Sequence, residues 1–118
     1  MKNYISEGKF LNAVCSHPAA PNSGDPVLIG QIPGVAVTDE GDGGNAATET
    51  TVCTKGIFDL TVEGTDASGN KAVGVGDKVY YDTAGDPVLS VDATKVFFGY
   101  ALEAVDSAAS AVIKVLLK

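Results

Sequence analysis

Ile57-Phe58-Asp59-Leu60-Thr61-Val62-Glu63 carries the clearest folding signal in the chain. Phe58, Leu60 and Val62 alternate with Asp59, Thr61 and Glu63, so an extended chain turns the first set to one face and the second to the other. A helix would scatter both sets around its circumference. The C-terminal segment from Ala111 to Lys118 repeats the pattern, with Ile113, Val115 and Leu117 inward and Lys114 and Lys118 outward. Burying such aliphatics is worth about 1.5–3 kcal/mol each, which predicts a structural C-terminus.

On either side of it, strand signals recur at short intervals between turn residues. Gly8 to Cys15 alternates imperfectly, and Ser16 to Gly24 reads as a loop. Val27–Ile29 and Val35–Thr38 form a predicted pair around Gly30-Gln31-Ile32-Pro33-Gly34, and Lys78–Asp82 and Val88–Val91 flank a hairpin connection, Thr83 to Pro87. Val96 to Leu102 is the most apolar strand, with Val96, Phe98, Tyr100 and Leu102 on one face and Phe97, Gly99 and Ala101 on the other. Apolar atoms on both faces predict a central strand or one covered by another subunit. The acidic, Gly-rich run Asp39 to Asn45 reads as a solvated, mobile loop, Gly64 to Asn70 as a turn-rich tip, and Ala104 to Ala111 as a loop or single turn.

The predicted class is all-β: a small β-barrel or jelly-roll-like sandwich of short antiparallel strands with little helix. Residues 1–8 read as an N-terminal arm and 9–118 as a single β domain. The pattern also looks doubled. Gly24-Asp25 opens one unit, Gly34-Val35-Ala36-Val37 follows, and Phe58 to Val62 closes it. Gly76-Asp77 opens the second, Gly99-Tyr100-Ala101-Leu102 follows, and Ile113 to Leu117 closes it.

Composition narrows the function. The chain has 118 residues, 45% of them hydrophobic, with 14 Gly and 5 Pro to supply turns. Net charge is −7, and every basic residue is a scattered lysine. Phosphate recognition favours Arg forks or clustered cations, so no direct nucleic-acid contact is expected. Met1 to Glu7 lacks the apolar core of a signal peptide, and no apolar run nears the ~20 residues that cross a bilayer. A soluble protein made in the cytoplasm follows, with no membrane partner and with Cys15 and Cys53 as free, buried thiols.

Catalytic material is sparse. His17 is the lone histidine, and Cys15-Ser16-His17 lacks the orienting partner and oxyanion donors that nucleophilic catalysis needs. Cys15, His17 and Cys53 lack paired zinc spacing, and Asp39, Glu40 and Asp42 do not follow an EF-hand order. Gly74-Val75-Gly76 leads into a strand, not a helix, so it is a turn and not a phosphate loop. No cofactor and no enzymatic activity are expected. Surface aromatics carry more: Tyr4, Tyr80, Phe97 and one of Phe10 or Leu11 exceed what so small a core holds and fit interface anchors. An alternative is a β-module binding carbohydrate or another ligand through exposed Tyr4, Tyr80 and Tyr81.

The chain resembles the capsid cement, or decoration, proteins of tailed bacteriophages and prophages. The resemblance runs through Met1-Lys2-Asn3-Tyr4-Ile5-Ser6-Glu7-Gly8, Gly24-Asp25-Pro26-Val27-Leu28-Ile29-Gly30, Gly34-Val35-Ala36, Lys55-Gly56-Ile57-Phe58-Asp59-Leu60, Gly76-Asp77-Lys78-Val79-Tyr80-Tyr81-Asp82 and Gly99-Tyr100-Ala101-Leu102-Glu103-Ala104. It implies a structural virion protein on the exterior of the major capsid shell, stabilising it as a homo-oligomer, a trimer rather than a dimer. It carries over no catalytic residue. Contacts to capsid or subunit are expected at Asn3, Tyr4, Ile5 and Glu7 in the arm and at Tyr80 and Phe97 on the domain.

Overall fold

The computed structural model describes residues 9–118. Among them the chain runs through strands β1 (Phe10–Ala13), β2 (Pro26–Ile29), β3 (Ile32–Ala36), β4 (Thr50–Cys53), β5 (Gly56–Glu63), β6 (Thr65–Asp66), β7 (Gly69–Asn70), β8 (Lys78–Tyr81), β9 (Leu89–Ser90), β10 (Val96–Ala101) and β11 (Ser110–Leu117), with no helix. The first four make an open sheet in the order β1-β4-β3-β2, and β10-β11-β5-β9-β8 close into a barrel. The all-β expectation holds, and the barrel is the form it takes. One pairing departs from it: β5 and β9 run parallel at Val62 and Leu89.

The strand that announced itself most clearly is the backbone of the barrel. β5 pairs antiparallel with β11 along its whole length, from Gly56 opposite Leu117 to Glu63 opposite Ser110. Leu60, Val62, Ile113, Val115 and Leu117 point inward and are buried. They join Val79, Tyr81, Leu89, Phe98 and Ala101 in one core cluster, to which the open sheet contributes Leu28 and Val35. Its other face keeps a small cluster of its own, Val27, Ala36 and Val52.

The doubling is real, but its boundaries differ from the sequence reading. Asn22-Ser23-Gly24-Asp25 and Gly74-Val75-Gly76-Asp77 form the same turn. In each, the Asp carboxylate accepts a bond from the first residue's N–H, at 2.9 Å for Asp25 and 2.8 Å for Asp77. Both glycines take positive φ, 92° and 89°, a conformation that costs L side chains energy. Gly24 N–H donates to Ala36 O and Ala36 N–H to Asp25 O; Gly76 N–H donates to Ala101 O and Ala101 N–H to Asp77 O. The match then continues onto β4 and not onto Phe58 to Val62. Ala36 pairs with Val52 as Ala101 pairs with Val115, and Val37 N–H donates to Thr51 O as Leu102 N–H donates to Lys114 O. β1 flanks β4 as β5 flanks β11. The chain is therefore a tandem of four-stranded units, β1-β4-β3-β2 and β5-β11-β10-β8, and Phe58 to Val62 opens the second.

Three further differences have local causes. The β2–β3 turn tightens to Gly30-Gln31, with Pro33 in the ladder opposite Leu28. The run 39–45 is tied down and not loose. Asn45 Nδ2 donates to Asp42 O at 2.8 Å and to Thr51 Oγ1 at 3.0 Å, and Gly41 N–H donates to Glu49 O at 2.9 Å. Tyr81, offered as a surface ring, is only 1% exposed.

Tyr81 sits where the open sheet meets the barrel. Its hydroxyl lies 2.6 Å from His17 Nδ1 and donates to Pro26 O at 3.3 Å. Burial foremost, with the charges of Asp25 and Cys15 adding, holds its pKa well above the ordinary phenol value. The folded chain thus keeps a proton that an unfolded tyrosine releases near pH 10, so this contribution is intact below about pH 10 and is lost as pH climbs beyond it. The thermal midpoint is expected to fall between about pH 9.5 and 11.5, and Tyr81→Phe is expected to flatten that fall. The missing hydroxyl bonds should lower stability at neutral pH by about 1–2 kcal/mol. Calorimetry across the pH series checks both.

Candidate interaction surface

The outer wall of the barrel carries the aromatic residues that the core does not take. The reason is a β-bulge in β10. Phe97 pairs with Tyr80 and Gly99 with Val79, which leaves Phe98 as an extra residue between them. A bulge sets two successive side chains on one side of the sheet. Phe98 and Gly99 both face the core and are buried, and alternation resumes with Tyr100 pointing out and Ala101 in. Strict alternation had put Tyr100 on the face of Phe98; the bulge moves it to the face of Phe97. Gly99 is needed there, because a Cβ would lie 2.5 Å from Leu116 O on the neighbouring strand.

Tyr80, Phe97 and Tyr100 thereby form one outward cluster. The Tyr80 and Phe97 centroids are 6.0 Å apart and those of Phe97 and Tyr100 5.4 Å, both edge-to-face. Lys78 Nζ stands 6.0 Å from the Phe97 centroid and Lys118 Nζ 5.7 Å from that of Tyr100. Among the described residues neither ammonium has a carboxylate within ion-pair distance, whereas Lys95 lies 4.0 Å from Asp82. The cross-strand row continues through Leu116, opposite Tyr100, to Ile57, opposite Leu116 and 58% exposed. Phe97 is 42% exposed. Beside the cluster, a cleft of about 670 Å³ is bounded by Gln31 of the β2–β3 turn, by Pro33 of β3, and by Phe97, Tyr100 and Lys118.

Of the residues expected to make contacts, Tyr80 and Phe97 are brought together on the outer wall. Tyr100, read on the opposite face, joins them there, and the cue for it was Phe97-Phe98-Gly99, two bulky residues before a glycine in a strand. Asn3, Tyr4, Ile5 and Glu7 lie outside the described residues. A family model described as phage cement protein matches residues 5–117 of the chain. The chain belongs to that family. No curated protein and no solved structure matches it.

The phage cement family points to a structural capsid role, and the remaining reactive side chains make contacts within the fold. His17 is engaged with Tyr81. Cys15 and Cys53 are unpaired, and Cys53 Sγ donates to Lys55 O at 3.0 Å. Burial foremost, with the Glu40 charge adding to it, raises the Cys15 thiol above its usual pKa. A raised pKa leaves little thiolate at neutral pH. Iodoacetamide is expected to modify the folded cement protein at Cys15 at least roughly tenfold more slowly than the unfolded chain, measured by mass spectrometry over time. Among the described residues no group of three or more His, Cys, Asp or Glu could hold a metal. No helix among them is long and apolar enough to cross a membrane.

Proposed function

We propose that this cement protein binds the outer surface of the assembled major capsid shell and stabilises it, acting as a homo-oligomer, a trimer rather than a dimer, and not as an enzyme. The family match across residues 5–117 supports the structural capsid role. The single structural observation that carries the reading is the outward row Tyr80, Phe97, Tyr100, Leu116 and Ile57 on a closed barrel. Contiguous apolar surface of this kind marks an interface, and a barrel without free edges is a stiff mount for it. Many copies on one shell turn modest single-site affinity into large collective stabilisation.

In this reading the chain is made in the host cytoplasm and resides on the virion exterior. Residues 1–8 act as an arm that reaches a neighbour, through Tyr4 and Ile5 as apolar anchors and Asn3 and Glu7 as polar ones. The alternative of a sugar-binding platform is weakened by two observations. Tyr81 is buried, and ammonium groups already stand against the Phe97 and Tyr100 rings.

Undecorated shells of the major capsid protein provide the test. Saturable co-sedimentation at micromolar concentration is expected, together with a raised temperature of shell disruption. A chain lacking residues 1–8 should bind less tightly by roughly tenfold or more. Absence of binding by the full chain overturns the reading, and unchanged binding by the shortened chain retires the arm.

A further inference from the structure

The two units of the tandem place equivalent faces in different surroundings. In the first unit the outward row corresponds to Val35, Cys53 and Leu28, which take the places of Tyr100, Leu116 and Tyr80. All three are buried, and Leu28 and Val35 pack into the core cluster of the second unit. The middle of the first unit's row is therefore covered by the second unit, while its outer end, Phe10, the counterpart of Ile57, is 56% exposed. The second unit's row is equivalent in register, and among the described residues it stays open, with Phe97 42% and Ile57 58% exposed.

Charge says which surface suits it. Lys78 and Lys118 flank the row without carboxylate partners among the described residues. Face-to-face pairing of two such rows about a two-fold axis would bring these lysines together, which like-charge repulsion disfavours. The first unit carries a loop, 39–49, with Asp39, Glu40, Asp42 and Glu49 and no lysine. We propose that the Tyr80–Phe97–Tyr100 face of one copy is the seat for the first unit of a second copy, acidic loop foremost, so that copies join head to tail. Such contacts are heterologous and generate a closed ring when the rotation closes. This deepens the part of the functional reading in which copies associate, and it does not require the shell.

Two variants test it by sedimentation velocity. Phe97→Ser/Tyr100→Ser breaks the seat, and Glu40→Lys/Asp42→Lys reverses the loop. The wild type is expected to assemble, less so as salt rises. Each variant alone is expected to associate at least roughly tenfold more weakly. A mixture of the two retains one intact seat and one intact loop and is expected to form a one-to-one dimer. Circular dichroism and thermal midpoints close to wild type establish that both are folded. Single changes, Phe97→Ser and Asp42→Lys, replace any variant that is not. A wild type that stays monomeric at 100-micromolar order overturns the proposal, as does a loop variant that self-associates normally or a mixture that fails to pair. A monomer that still co-sediments with shells would sink the head-to-tail contact and leave the cement reading standing. An oligomer that ignores shells would do the reverse.

Discussion

Phe98→Ala is expected to destabilise the chain by about 3–5 kcal/mol, the range for deleting a buried aromatic ring. Phe98 is 2% exposed and its ring lies 6.1 Å from that of Tyr81, at the point where barrel and open sheet share one core. Whole-domain stability is about 5–15 kcal/mol, so the loss is a large fraction of the total. A fall in thermal midpoint of roughly 12–25 °C should follow. Phe97→Ala, one residue earlier, removes an outward ring and should cost less than about 1 kcal/mol. Urea titration of both variants separates the bulge geometry from plain alternation. If 97 proved the costlier position, the facing assigned here would be reversed.

Gly99→Ala carries the other large effect. The new methyl would meet Leu116 O at 2.5 Å, a backbone atom fixed by the β10–β11 ladder. Relief requires opening that seam, so a loss of about 3 kcal/mol or more is expected. Gly34 occupies the equivalent place in the first unit, opposite Val27 as Gly99 is opposite Val79. There the nearest obstacle is a side-chain methyl of Val52, with Cys53 O at 3.0 Å. Val52 is β-branched and fully buried, so its methyl has little room to yield, and Gly34→Ala should also cost about 2–3 kcal/mol. Paired denaturation curves check both, and a loss below about 1 kcal/mol at either position would contradict the close approach.

How far the sequence could be read followed from where its signals are local. β5 and β11 declare their facing through alternation, because one side of each lies in the core and the other in water. β8 and the Gly-Asp turns were legible for the same reason, since a left-handed glycine followed by a carboxylate that caps its own turn is a short-range device. β4 was not. Thr50-Thr51-Val52-Cys53 is short and half polar, and only its register with β3 shows it to be the partner of β11 in the repeat. The bulge at Phe98 was invisible to a period-two reading, which is why Tyr80 and Phe97 were found and Tyr100 was not. The loop at 39–45 looked free because several of its bonds reach residues far off in the sequence, such as Pro21 O, which accepts from Glu40 N–H.

If the outward row of the second unit is the working surface of this cement protein, electron cryo-microscopy of shells saturated with the protein will show it engaged. Tyr80, Phe97 and Tyr100 of every bound copy are expected to lie against another protein chain, with the acidic loop of a neighbouring copy beside Lys78 and Lys118. A decorated shell in which these three rings face open solvent would contradict it.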